Sequence, residues 1–132
     1  MPAAALVWEM KKILVVEDEK ELSDVLAGRL KEGGFLVAVA YDGKEALDKI
    51  AKEKPDLILL DLVMPVLDGI GVLKELQSSF ETKDIPVIVL TNLLSEEKIA
   101  QVLEAGGTHY LVKSDYTADD VIAAVKKRLD LV

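Results

Sequence analysis

The sequence predicts an α/β fold, a five-stranded parallel sheet covered by helices. Five apolar runs alternate strictly with five amphipathic ones across short connections, the pattern of βαβ units joined by right-handed crossovers. The run LILL, residues 57–60, is apolar at every position, as a strand buried on both faces must be. At 132 residues, 51% apolar and 30% charged, the chain has the size of one domain, burying roughly two-thirds of its unfolded surface.

The strands are read at Lys12–Val16, Phe35–Ala40, Asp56–Leu60, Pro86–Leu90 and Thr108–Val112. Between the first two lies Glu19–Glu32, with Leu22, Val25, Leu26 and Leu30 at helical spacing and Gly33-Gly34 as its stop. Gly43–Lys54 puts Ala46, Leu47, Ile50 and Ala51 on one face and ends at Pro55. The third strand closes on Asp61, and the chain turns through Met64-Pro65 and Asp68-Gly69 into a helix, Asp68–Ser78, carrying Val72, Leu73 and Leu76. Ser95–Ala105 opens on a serine cap with Glu96 and Glu97 in its first turn and closes at Gly106-Gly107. Thr117–Leu129 opens on a threonine cap with two aspartates and presents Val121, Ile122, Val125 and Leu129.

Charge and composition exclude several function classes. Twenty-four acidic residues against sixteen basic leave a net charge of −8, which disfavours direct binding to a nucleic-acid backbone or an anionic membrane. With no cysteine and one histidine, thiolate chemistry and multi-histidine metal centres are ruled out. No apolar stretch approaches the ~20 residues that span a bilayer. The start, MPAAALVWEM, has no basic residue before its apolar run and makes a poor secretory signal. Met10 opens a second plausible start, so residues 1–10 read as an extension or expression remnant and 11–132 as the domain of a cytoplasmic protein.

The polar residues that end the strands carry the chemistry. Glu17 and Asp18 follow the first strand, Asp61 the third, Thr91 the fourth and Lys113 the fifth. A parallel sheet puts all these ends on one edge, where open α/β sheets bind ligands. Taken singly, Glu17-Asp18 is a helix-start pair, Thr91 a turn residue, Lys113 a surface charge and Asp68-Gly69 a turn. The joint placement is what points to a site. Three carboxylates and one ammonium sum to −2, which a divalent cation balances; without one, like-charge repulsion raises the carboxylate pKa values. Oxygen-only ligands suit Mg²⁺. Asp61 can then attack phosphorus while the metal and Lys113 neutralise the phosphoryl oxygens and Thr91 donates a hydrogen bond, giving an aspartyl phosphate.

The segments ILVVEDE, LILLDLVMPVLDG, PVIVLT and YLVK resemble a response-regulator receiver domain over Lys11 to Leu131. The resemblance implies a doubly wound, flavodoxin-like fold with strand order 2-1-3-4-5 and five helices. It implies that Asp61 takes a phosphoryl group from the phosphohistidine of a sensor histidine kinase or histidine phosphotransfer protein, with Thr91 and Lys113 as its catalytic companions. Mg²⁺ is implied on Glu17 or Asp18, Asp61 and the main-chain carbonyl of Val63. Tyr110 matches the family's aromatic switch, whose ring follows the threonine inward; by residue type alone it is an aromatic favoured on an edge strand. His109 reads as a strand-start side chain. Output is implied through the surface of the fourth helix, fifth strand and fifth helix, which meets a downstream protein or a second copy. Beyond transfer to its own aspartate and slow autodephosphorylation, no enzyme activity is implied. The alternative is a pseudo-receiver that binds partners without phosphorylation.

Several residues depart from the commoner pattern. Glu17 replaces aspartate. Ser114 stands where many members have a cis proline, and a cis bond without proline costs ~2.5–4 kcal/mol, so a trans peptide or a strained loop is expected. Asn92 is bulkier than the small residue common after the threonine and crowds the phosphoryl site. Val63 and Leu93 are apolar where a polar group could hold an attacking water, which predicts slow hydrolysis of the aspartyl phosphate. Leu93-Leu94 is either tucked under the fourth helix or offered to a partner. A flavin-mononucleotide binder of the same fold needs a phosphate loop rich in Ser, Thr and Gly where this chain has Glu17-Asp18-Glu19. An aspartate-nucleophile phosphatase needs its acceptor after the first strand with a second aspartate two residues on, a spacing absent from VVEDEKE.

Overall fold

The structure, a computed structural model, describes residues 11–64, 66–92, 95–107 and 109–129. The strands are β1 (Lys12–Val16), β2 (Leu36–Ala40), β3 (Leu57–Leu60), β4 (Val87–Thr91) and β5 (His109–Val112). The helices are α1 (Lys20–Glu32), α2 (Gly43–Glu53), α3 (Gly69–Ser78), α4 (Glu96–Glu104) and α5 (Ala118–Arg128), with a 3₁₀ turn at Lys113–Asp115. All strand pairs are parallel, and the sheet order is β2-β1-β3-β4-β5. This is the expected doubly wound, flavodoxin-like topology.

Side-chain alternation divides the core into two layers. Leu14, Val16, Ile58, Leu60 and Val89 pack against α2, α3 and α4 through Ile50, Leu73 and Val102. Ile13, Val15, Leu57, Leu59, Ile88 and Leu90 pack against α1 and α5 through Leu26, Leu30, Val121 and Val125. Ile58 and Leu60 of LILL face one layer and Leu57 and Leu59 the other, which explains its unbroken apolar character.

Helix starts follow the sequence closely. The side chains of Asp42, Asp68 and Ser95 accept the N–H groups of Glu45, Gly71 and Lys98. Thr117 and Asp120 form a reciprocal capping box. At the end of α1 the left-handed residue is Gly34, at φ +95°, while Gly33 stays right-handed. Phe35, Asp56 and Pro86 fall just before their strands. Phe35 is buried in the core, the Asp56 carboxylate accepts the Lys12 N–H at 2.8 Å, and the Pro86 carbonyl accepts the Ile58 N–H at 3.0 Å. Thr91 is the last residue of β4. No peptide bond among the described residues is cis, so Ser114 adopts the expected trans bond inside the 3₁₀ turn.

Candidate functional site

The register Val16↔Leu60 aligns the ends of β1 and β3, and the ladder continues one residue further. The Glu17 N–H donates to the Ala40 carbonyl at 3.0 Å and the Asp61 N–H to the Val16 carbonyl at 3.0 Å. Glu17 and Asp61 thus stand side by side at the sheet edge. The loop after Asp61 returns closely over it: a Cβ on Gly69 would lie 2.4 Å from the Asp61 carbonyl oxygen, so only glycine fits there.

The edge brings Glu17, Asp18, Asp61, Thr91 and Lys113 together. Asp18, Asp61, Thr91 and Lys113 line an open cleft of about 230 Å³ with Glu19, Val63 and Asn92, room for a phosphoryl group and several waters at roughly 30 Å³ per water. Glu17, beside Asp61, is 2% exposed, Asp61 is 5% exposed, Thr91 is buried, and Asp18 is exposed. The two adjacent acids therefore differ in setting, Glu17 being buried and Asp18 exposed; α1 begins only at Lys20, and its N-cap Glu19 makes no side-chain cap.

Lys113 reaches across the cleft to Glu17, 2.9 Å from Oε2 and 3.0 Å from Oε1, and lies 3.4 Å from Asp61 Oδ2. Burial pushes the Glu17 carboxyl up to about 7, with the Asp61 charge adding and the Lys113 hydrogen bond opposing. Burial also raises Asp61 above the usual aspartate range, against the attraction of Lys113. Burial works against the Lys113 ammonium, but its hydrogen bond to Glu17 and the Asp61 charge outweigh it, so its pKa is raised. The cleft holds more negative charge than one lysine compensates.

That surplus fits a hard cation. One carboxylate oxygen from each of Glu17, Asp18 and Asp61 lies within 4.8 Å of the others, a donor set of the hardness Mg²⁺ prefers. Val63 borders the same cleft, and its N–H donates to Asp61 Oδ1 at 3.4 Å.

The neighbouring residues are placed as follows. Tyr110 is 39% exposed on β5, and His109 begins that strand, exposed. Val63 turns its side chain outward at 49% exposure. Leu93 and Leu94, residues 1–10, Pro65 and Thr108 lie outside the described residues. Two features have no clear signal in residue type. Val66 adopts a left-handed φ of +71°. Asn92 Oδ1 accepts the Ser114 N–H at 2.9 Å, joining two departures that sequence alone leaves separate.

Residues 13–126 match the family described as the response regulator receiver domain. The receiver domain of Francisella response regulator 1452 is 36% identical, over 91% of this chain and 99% of its own length, with a TM-score of 0.80. Chemotaxis protein CheY4 of Vibrio cholerae is 30% identical, over 89% of this chain and 98% of its own, with a TM-score of 0.83. A two-component response regulator from Clostridium difficile is 30% identical, over 92% and 97%, with a TM-score of 0.83.

Proposed function

This chain belongs to the response regulator receiver family of two-component signalling, and from that premise we propose that Asp61 accepts a phosphoryl group from a partner's phosphohistidine and that the change is relayed to a protein-binding surface. The observation that carries the proposal is the convergence of the Asp61 carboxylate and the Lys113 ammonium, 3.4 Å apart, in a cleft shared with Thr91 and Asp18.

Asp61 is the nucleophile. An Oδ attacks phosphorus in line with the scissile bond, the O–P bond forms as the P–N bond breaks, and the electron pair stays on the ring nitrogen. A histidine ring already protonated on its other nitrogen leaves as neutral imidazole. Lys113 moves from Asp61 to the phosphoryl oxygens, and the Thr91 hydroxyl donates to them. Mg²⁺ would be held by Glu17 or Asp18, by Asp61 and by the Val63 main-chain carbonyl, and would supply positive charge against the phosphoryl oxygens.

Thr91 and Tyr110 carry the change towards α4, β5 and α5, the output surface. A groove of about 520 Å³ lies there between β5 and α5, floored by Ile88, Leu111 and Ala124 and rimmed by His109, Lys127 and Arg128. Its basic rim, and an Arg128 Nε that is buried with no hydrogen-bond partner among the described residues, suit a downstream protein offering acidic and apolar side chains. The donor is a sensor histidine kinase or histidine phosphotransfer protein in the cytoplasm; no helix among the described residues is long and apolar enough to cross a membrane.

Intact mass after incubation with Mg²⁺ and acetyl phosphate tests the reading. One phosphate on the parent chain, absent from Asp61→Asn and blocked by chelator, is the expected result. No adduct despite measured Mg²⁺ binding, with acetyl phosphate and with a phosphorylated kinase alike, would leave the pseudo-receiver as the account.

A further inference from the structure

We propose that Asn92 is a positioning residue for Lys113, acting through the main-chain N–H of Ser114; the inference rests on the phosphotransfer reading of the same cleft. The ladder between β4 and β5 ends at the pair Thr91↔Val112. The next residues after the two strands are Asn92 and Lys113, and the Asn92 side chain supplies one further rung by accepting the Ser114 N–H at 2.9 Å. Lys113 is therefore flanked on one side by the sheet and on the other by a hydrogen bond that crosses 22 positions of sequence.

Lysine needs this help. Its four-carbon stem carries about 2 kcal/mol of rotamer entropy, and its ammonium must serve an acceptor 3.4 Å away while bound to Glu17 at 2.9 Å. Fixing the peptide plane that follows Lys113 fixes the origin of the stem. The 3₁₀ turn beyond it does so weakly, since its closing bond, from the Tyr116 N–H to the Lys113 carbonyl, is 3.4 Å long. Asn92 also lines the cleft beside Asp61 and Thr91, so the same side chain borders the reacting atoms and ties down the lysine loop.

The device depends on two residue types at once. Position 114 must have an N–H, which proline lacks, and position 92 must have an acceptor long enough to reach it. Neither substitution alone makes the bond, and removing either end removes all of it.

A double-mutant cycle separates this from general loosening. The parent, Asn92→Ala, Ser114→Pro and the double variant are labelled with acetyl phosphate and Mg²⁺, and Mg²⁺ affinity and thermal midpoint are measured on each. Loss of one such bond corresponds to about a fivefold slower labelling. Asn92→Ala is expected to show that loss at unchanged Mg²⁺ affinity, and the double variant to be no slower than Ser114→Pro. Multiplying effects, or a loss in Asn92→Ala that tracks its Mg²⁺ affinity, would overturn the proposal. Amide hydrogen exchange at Lys113 and Ser114 gives a readout independent of phosphorylation. Exchange at least several-fold faster in Asn92→Ala supports the tether, and equal exchange refutes it, even if the parent takes no phosphate and the acceptor reading itself falls.

Discussion

The Lys113 ammonium is bound more closely to Glu17, at 2.9 Å, than to Asp61, at 3.4 Å. The buried glutamate holds the lysine beside Asp61, where the proposed phosphotransfer would have phosphoryl oxygens claim it. Two desolvated carboxylates thereby share one lysine, a cost that stability measurements can read.

The first prediction concerns pH. Burial raises the folded Glu17 carboxyl to about 7 from an ordinary value of 4.5, so between these values the folded state binds more protons than the unfolded state, and stability falls as pH rises. The contribution is fully present below pH 4.5 and lost as pH rises through about 7. Thermal midpoints in chelator should therefore drop between pH 5 and pH 8, with a loss of roughly 2–3 kcal/mol attributable to this group. Glu17→Gln should flatten that slope. Saturating Mg²⁺ should restore stability mainly at the high-pH end, because the cation binds the ionised carboxylates. A midpoint that rises steadily from pH 5 to pH 8 in chelator would contradict this account.

Asp61→Asn should stabilise the chain by about 1 kcal/mol at pH 8, since it removes one of the crowded buried charges, while abolishing labelling. Lys113→Ala should do the opposite, costing about 3 kcal/mol or more at pH 8 by leaving two buried carboxylates without their cation, and less at pH 5, where protonation relieves them. Denaturant melts at the two pH values decide both. A neutral Lys113→Ala would mean that water, and no longer the lysine, compensates the acids.

The fold is legible in the sequence because each local signal agrees with the tertiary one. LILL is buried at all four positions because α1 and α5 cover one face and α2, α3 and α4 the other, and Asp42, Asp68, Ser95 and Thr117 cap the helices they precede. The convergence of Glu17, Asp61 and Lys113 is legible too, since parallel strands share an edge. The difference between buried Glu17 and exposed Asp18 is not, because it depends on how far the β1 ladder runs, which the Ala40 carbonyl decides from another strand. The Asn92–Ser114 bond is hidden for the same reason: it needs the register of β4 against β5. Val66 gives no signal at all, since a β-branched residue argues against the left-handed conformation it adopts.

Val66 is 77% exposed with φ +71°, so its side chain gains little packing to offset a conformation that costs of order 1 kcal/mol or more. Val66→Gly should relieve that strain, although glycine gives back part of the gain through unfolded-chain entropy. A net stabilisation of about 0.5–1 kcal/mol, with labelling by acetyl phosphate unchanged, is the expected outcome. A destabilised variant would show that the valine makes a contact worth more than the strain.

The rate at which the proposed phosphate is lost depends on what can hold a water in line with the P–O bond. Val63, 49% exposed, borders the cleft, and its isopropyl side chain can neither accept nor donate a hydrogen bond to orient a water at that wall. Leu93, two residues past Thr91, lies outside the described residues, and its residue type gives it the same incapacity. A side chain that takes a proton from an attacking water contributes typically about 10²–10⁴-fold, and an amide that only orients the water contributes less. A residue at the rim of an open cleft orients less strictly, so Val63→Asn with Leu93→Gln is expected to shorten the aspartyl-phosphate lifetime about tenfold, each single change less. Phosphate release from the purified phosphoprotein after removal of acetyl phosphate measures this directly, with Mg²⁺ held saturating so that the metal is not the variable. A lifetime of seconds in the parent chain, or no shortening in the double variant, would show that hydrolysis is limited elsewhere in the cleft, with Asn92 as the residue to test next.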